Sequence, residues 1–348
     1  MAKHIDITEF LQRMGQLPVL DVRSPSEYNK AHIPGALSLP LFSDEERAAV
    51  GTLYSQKGPD HATLLGMDIA GPQMSAYVRK AWKMAPERRA MIYCWRGGWR
   101  SAAMAFTLDV AGFETYLLDG GYRSFHRHAN TLLTQARKII VLGGMTGSGK
   151  TEVLAQLRQM GEQVVDLEEL AEHKGSAFGG RADGIQPSTE QFRNRLFMEV
   201  QKTRPDAPLW IEDESDMIGK IRIPAPFFTM MRSAPLVCLN MPQELRARRL
   251  AADYDSVELQ SLEEAFRKIG RKIGGDRLKE ALMALQAGEL EKAAMTALDH
   301  YDRKYSYGMA QRIPASILRI DTTAASAAEN ARLVRQAARE HYSELFTE

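Results

Sequence analysis

The stretch Lys138-Ile139-Ile140-Val141-Leu142-Gly143-Gly144-Met145-Thr146-Gly147-Ser148-Gly149-Lys150-Thr151 decides the architecture of the larger part of the chain. Its apolar, β-branched opening predicts a buried strand, and from Gly144 the loop behind it fits G-x-x-x-x-G-K-[ST]. Glycines let backbone N–H groups curl around phosphate oxygens. Lys150 then reaches the terminal phosphates, and the Thr151 hydroxyl suits Mg²⁺. Residues 152–160 supply the helix that such a loop requires. Gly144, Gly147, Ser148, Gly149, Lys150 and Thr151 are therefore the phosphate-binding candidates, in an α/β P-loop NTPase-like domain expected over residues 137–241.

Downstream, Leu209-Trp210-Ile211-Glu212-Asp213-Glu214 predicts an apolar strand ending in acids. P-loop proteins keep a metal-orienting carboxylate at such a place, so Glu212 and Asp213 are candidates for orienting a metal or a water. Leu236-Val237-Cys238-Leu239-Asn240 predicts another strand, with Cys238 in the core. The arginines of Glu244-Leu245-Arg246-Ala247-Arg248-Arg249 form either a lid over phosphates or a solvated face. From about Pro242 onward the composition is helical, with apolar positions at helical spacing over 263–273 and 278–285. A helical C-terminal region, 242–348, is expected. Tyr301-Asp302-Arg303-Lys304-Tyr305-Ser306-Tyr307 is an aromatic–basic patch, open to packing or RNA contact. The polar loops at 173–180 and 186–188 are longer than connectivity needs.

Upstream, Ile92-Tyr93-Cys94-Trp95-Arg96-Gly97-Gly98-Trp99-Arg100-Ser101 repeats the strand–loop–helix grammar with a thiol at the strand's end. Trp95, Arg96, Gly97, Gly98, Trp99 and Arg100 would form an anion cradle at the N-terminus of a helix over 101–110. A cysteine below that cradle ionises more easily than a free thiol. A buried core cysteine is the alternative. Trp95 and Trp99 are packing residues or an apolar stacking wall. Short strands at 18–22, 37–39, 91–93 and 115–118, with a helix over 74–84, predict a mainly parallel sheet over residues 1–132, its reactive loop at a carboxyl edge.

The balance of 45 basic and 44 acidic residues gives a net charge of only +1, which announces no nucleic-acid partner in bulk. Local runs say more: seven basic residues against one acid over 79–100, and six against one over 267–279. They make a polyanionic substrate a reading to keep beside the solvated-face one. Two cysteines far apart are no disulfide framework. The N-terminus has no apolar h-region and the chain has no long apolar run, so a cytoplasmic protein without membrane attachment is expected.

The first segment resembles a rhodanese domain. The matching pieces are Leu20-Asp21-Val22-Arg23 with Glu27-Tyr28, His32-Ile33-Pro34-Gly35-Ala36, the Cys94 loop, Gly112-Phe113 and Leu118-Asp119-Gly120-Gly121-Tyr122. The resemblance implies group transfer through a covalent cysteine. Common sulfurtransferase loops place four residues between cysteine and arginine, whereas Cys94 and Arg100 are separated by five, the spacing of cysteine-dependent phosphatases. The wider loop predicts a tetrahedral, phosphate-bearing ligand.

The fusion of such a domain to a P-loop domain and a helical tail resembles the bacterial tRNA 2-selenouridine synthases. Cys94-Trp95-Arg96-Gly97-Gly98, residues 173–179, Gln186-Pro187-Ser188, and Glu214-Ser215 with Ile218-Gly219 carry the likeness beyond the two motifs. The resemblance implies a two-step exchange at the wobble 2-thiouridine of tRNA. The sulfur is geranylated from geranyl diphosphate, and the S-geranyl group is then displaced by selenium from selenophosphate. On this reading Cys94 holds selenium as a selenosulfide or assists departure of the geranyl thiolate. The P-loop holds geranyl diphosphate, Glu212 or Asp213 orients Mg²⁺ or water, and the basic runs receive the anticodon arm. A selenophosphate-supplying enzyme is a further expected partner. Two alternatives stay open: a P-loop kinase or NTPase coupled to a rhodanese-type sulfurtransferase or cysteine phosphatase, and a non-catalytic RNA-binding module, against which an intact Cys94 and Arg100 argue.

Overall fold

Short apolar runs alternating with helical segments build two separate all-parallel sheets, as the α/β patterning predicts. The computed structural model describes residues 1–173, 186–255, 257–322 and 326–347. The chain divides into two units, Met1–Leu132 with Arg193–Met198, and Leu133–Phe192 with Glu199–Glu348. No helix among the described residues is long and apolar enough to cross a membrane.

In the first unit the strands are β1 (Lys3–Ile5), β2 (Val19–Asp21), β3 (Leu37–Ser38), β4 (Arg89–Tyr93) and β5 (Glu114–Leu118), in the order β1-β5-β4-β2-β3. All pairs are parallel. Ala90, Met91, Ile92 and Tyr93 are fully buried, because a parallel strand covered on both faces needs a continuous apolar run rather than alternation. The helices Met74–Met84 and Trp99–Val110 pack Tyr77, Ala81, Met104 and Leu108 against Leu20, Ile92 and Leu117. The chain runs outward from β2 to β3 and then returns past β2 to β4. The crevice at the carboxyl ends of β2 and β4 is therefore a topological switch point, where open α/β sheets bind ligands. The Cys94 loop leaves β4 there.

The second unit contributes β6 (Ile139–Gly144), β7 (Gln163–Val165), β8 (Leu209–Glu212), an antiparallel ribbon of β9 (Met217–Ile218) and β10 (Ile221–Arg222), β11 (Leu236–Asn240) and β12 (Ile317–Asp321). The main sheet has the order β12-β11-β6-β8-β7, all parallel. The P-loop follows central β6 and leads into the helix Lys150–Gln159.

One departure concerns the boundary expected at residue 241. The C-terminal region is helical, but it also supplies β12, which pairs with β11 from Leu236↔Ile317 to Asn240↔Asp321. Pro314 interrupts helical propagation just before it, and Ile317, Leu318 and Ile320 suit a pleated edge. The helix Ala327–His341 then packs Ala331, Val334 and Ala338 into the same core as Leu154, Leu157 and Trp210. The helices between Gln243 and Ala310 are thus an excursion between two strands of one sheet. They have a core of their own around Phe266, Ile269, Ala294 and Leu298.

Candidate functional site

Cys94 sits where β4 ends, buried, with its Sγ 3.3 Å from the equally buried Ser101 Oγ. Ser101 also donates to the Gly98 carbonyl at 3.0 Å. A hydroxyl has one proton, so Ser101 must turn it from Gly98 to the sulfur when Cys94 is a thiolate. The helix Trp99–Val110 begins beside them with Gly98 as its N-cap and no side-chain cap. The N–H groups of its first turn lack intrahelical partners and are open to an anion.

The loop is pinned from behind, where Tyr122 N–H donates to Cys94 O at 2.9 Å and Arg123 N–H to Trp95 O at 3.0 Å. Gly121 permits this approach. It has φ +58°, and a Cβ there would lie 2.3 Å from Cys94 O and 2.5 Å from Gly97 N. Any side chain would push the cradle open.

Arg100 is not a free cation. Its Nη1 lies 2.6 Å from Glu27 Oε2, and Glu27 also accepts from Ser24 N–H at the N-terminus of the helix Pro25–Lys30. Burial pushes the Glu27 carboxyl up, but the hydrogen bond and charge of Arg100, the Ser24 N–H and the charge of Arg47 together outweigh it and hold the group below its usual range. The tryptophans part company. Trp99 stacks on Phe42 at 5.9 Å and closes over Gly66, so it is a packing residue. Trp95 leans on Tyr122 with 38% of its surface exposed. Arg96 is exposed.

A buried network stiffens the crevice beneath. Arg23 pairs with Asp21 at 2.6 Å and donates to Ala31 O at 2.7 Å. Tyr93 Oη donates to the same carboxylate at 2.6 Å, and the Arg23 guanidinium lies 4.1 Å from the Tyr122 ring centroid. Asp21 and Arg23 are essentially unexposed, a placement that stands only with such full pairing.

In the second unit Gly144 turns at φ +151°, where a Cβ would meet Ser148 Oγ at 2.5 Å. Ser148 is buried and its hydroxyl has no partner. Lys150 Nζ lies 3.1 Å from Gly144 O and 3.6 Å from Glu212 Oε1. Burial works to lower the Lys150 pKa, and the surrounding carboxylates Glu212, Glu214, Glu168 and Asp213 raise it overall.

The two acids at the end of β8 have different surroundings. Asp213 is engaged by Arg312 at 2.7 Å, by the Tyr305 hydroxyl at 3.0 Å and by Arg232 at 3.8 Å. Glu212 keeps a buried Oε2 without a partner. It gathers with Glu168 and Glu214, the three offering carboxylate oxygens within 4.8 Å of one another. Burial pushes all three carboxyls up, Glu168 to about 8 with repulsion from Glu214 adding to it, while Lys150 opposes the shift.

Several residues here had no individual role in the sequence. Glu168 follows the N-cap Asp166, where first-turn acids are ordinary. Tyr305 accepts the Gly144 N–H at 2.8 Å, so one member of the aromatic–basic patch braces the P-loop. Arg246 is buried against Asp302 at 2.7 Å and donates to Thr146 O, a fixed strut rather than a mobile lid. Arg249 pairs with Glu152 and Arg248 with Glu291. Gln186 bonds Ile218 O and Lys220 N–H, joining two of the short pieces singled out in the sequence. Residues 174–180 of the polar loop lie outside the described residues. A cavity of about 640 Å³ opens at the amino edge of the first sheet, opposite Cys94, among Leu17, Val19, Met84 and Pro86.

Comparisons with known proteins follow this division. Residues 137–325 match the model of the tRNA 2-selenouridine synthase AAA domain, and residues 6–128 that of the rhodanese-like domain. The chain is 34% identical over 341 residues to the tRNA 2-selenouridine synthase of Pseudomonas fluorescens, covering 87% of this chain and 92% of that protein. With the one of Marinobacter nauticus it shares 34% over 351 residues, with coverage of 90% and 94%. With the one of Aeromonas salmonicida it shares 38% over 248 residues, with coverage of 69% and 66%.

Proposed function

Since the chain belongs to the tRNA 2-selenouridine synthase family, we propose that it converts the wobble 2-thiouridine of tRNA to 2-selenouridine by geranylation and then selenium transfer. The observation that carries this is the presence of two distinct anion-binding constructions in one chain, a thiol under an uncapped helix N-terminus and a P-loop with its lysine in place. Selenophosphate carries a tetrahedral oxyanion, which suits the long Cys94–Arg100 loop. Cys94 serves the selenium step and Ser101 adjusts its proton. The P-loop takes the diphosphate of geranyl diphosphate, where charge leaves with the diphosphate as the thiouridine sulfur is alkylated.

Mg²⁺ fits the second construction, given the orphaned Glu212 Oε2 and the carboxylates gathered around it. Glu212, with Glu168 and Glu214, would hold it, and the ion would supply positive charge to the departing diphosphate. Asp213, committed to two arginines and a tyrosine, positions Tyr305 and Arg312 instead. The helix Leu259–Ile273 buries Phe266, Ile269 and Ile273 and exposes Arg267, Lys268, Arg271 and Lys272. That face suits the phosphates of the anticodon arm.

The test is mass spectrometry of tRNA nucleosides after incubation with 2-thiouridine tRNA, geranyl diphosphate and selenophosphate, singly and together. We expect S-geranyl-2-thiouridine with the diphosphate alone and 2-selenouridine only with both. Nucleotide hydrolysis without any change to tRNA would favour a P-loop NTPase coupled to a rhodanese-type transferase.

A further inference from the structure

A second cavity, of about 310 Å³, opens within the second unit directly beside the P-loop. Met145, Cys238, Leu239, Met241 and Met309 supply apolar wall, and Tyr305 and Arg312 lie at its polar side. Met145 is the P-loop residue next to Gly144, so the cavity and the phosphate cradle share a wall. We propose that this cavity is the isoprenoid-chain subsite of the enzyme, taking the ten-carbon tail of a prenyl diphosphate whose phosphates lie in the P-loop. The inference rests on the assignment of geranyl diphosphate to that loop.

Three features support it. The wall is rich in sulfur, with three thioethers and a thiol, and methionine adapts its shape to a flexible, unsaturated chain. The thiol of Cys238 is buried and unpaired with any other cysteine. The side-chain groups best placed to read a nucleotide base are already committed. The Tyr305 hydroxyl serves Gly144 N–H and Asp213. The Arg312 Nη atoms serve Asp213 and the carbonyls of Met231, Arg232 and Ala234. Asn240 donates to Asp321. Among the described buried groups of the lining, Arg312 Nε is left as a donor without a partner, and the remaining polar side chains there, Ser306 and Arg319, are exposed, which leaves the sulfur-lined interior to an apolar chain. The volume lies at the small end of the range for ligand pockets, which limits the chain length the cavity accepts.

The experiment measures kcat/KM for dimethylallyl, geranyl and farnesyl diphosphate, with inorganic pyrophosphate binding as a control on the cradle. Because the readout is a ratio between substrates, it is independent of the fraction of each variant that folds. The wild-type enzyme should prefer geranyl over dimethylallyl by on the order of 100-fold or more, from the extra apolar surface buried. Ala310→Phe, at the exposed rim, should lower that ratio about 10-fold or more and leave pyrophosphate binding unchanged. Met309→Ala should shift preference toward farnesyl. If geranyl diphosphate binds and competes with pyrophosphate but neither variant moves the ratios, the chain lies elsewhere and the subsite is overturned while the assignment of the loop stands. If geranyl diphosphate does not compete with pyrophosphate in the wild-type enzyme, that assignment fails, and the subsite with it.

Discussion

The two anion sites solve one problem with different materials. The Cys94 site is largely local: thiol, loop, uncapped helix and Ser101 lie within eight consecutive residues, and the segment around Tyr122 holds them through backbone bonds. The P-loop begins in the same way but is completed from a distance. Tyr305 reaches Gly144, Arg312 reaches Asp213, and Glu168 joins Glu212 and Glu214. A local site leaves its imprint in a motif. A site assembled from remote side chains leaves only its backbone part there.

The largest expected effects test whether the two sites divide the reaction. In Cys94→Ala, selenium incorporation should fall by at least about 100-fold, on the scale of losing a nucleophile or an essential electrostatic contact, while geranylation persists. Lys150→Ala should do the reverse, with geranylation lost to a similar extent and selenation of previously geranylated tRNA retained. Nucleoside mass spectrometry with each half-reaction supplied separately checks both. Loss of both steps in either variant would merge the sites functionally and end the comparison.

A smaller effect probes the remote bracing. Tyr305→Phe removes the acceptor for a buried Gly144 N–H, at a cost of about 1–3 kcal/mol, and should weaken pyrophosphate binding while leaving Cys94-dependent selenium transfer intact. Thermal unfolding and calorimetric titration read the two consequences. An unchanged pyrophosphate affinity would make Tyr305 a packing residue only. This residue also marks where the sequence stops being informative. The P-loop, the parallel sheets and the Cys94 loop were legible because periodicity and glycine placement impose them locally. Tyr305 lies 161 residues from its partner, and no spacing rule connects them. β12 escaped notice because Arg319 and Asp321 interrupt a short apolar run amid helix-forming composition. Of two adjacent acids with equal claims, only burial and neighbours separated Glu212 from Asp213.

The smallest effect concerns the carboxylate group, which among the described residues has no counterpart around Cys94. Burial and repulsion raise the Glu168 carboxyl from 4.5 to about 8, so the folded unit favours its protonated form. For an acid shifted upward, the folded state binds the proton more tightly than the unfolded chain does. The stability this gives is complete below the ordinary carboxylate range and is lost as pH rises through about 8. Glu168→Gln stays neutral and escapes that loss, so the variant should gain on the wild type between pH 6 and pH 9, by roughly 2–4 °C in Tm. Mg²⁺ should act in the opposite sense on the difference. A cation among Glu168, Glu212 and Glu214 offsets their repulsion, so it should raise the wild-type Tm at pH 9 and narrow the gap to the variant. A Tm difference that ignores pH would mean that Glu212 and Glu214 carry the shared proton without Glu168. A difference that responds to pH but not to Mg²⁺ would leave the carboxylates as a counter-charge for Lys150 and move the metal elsewhere.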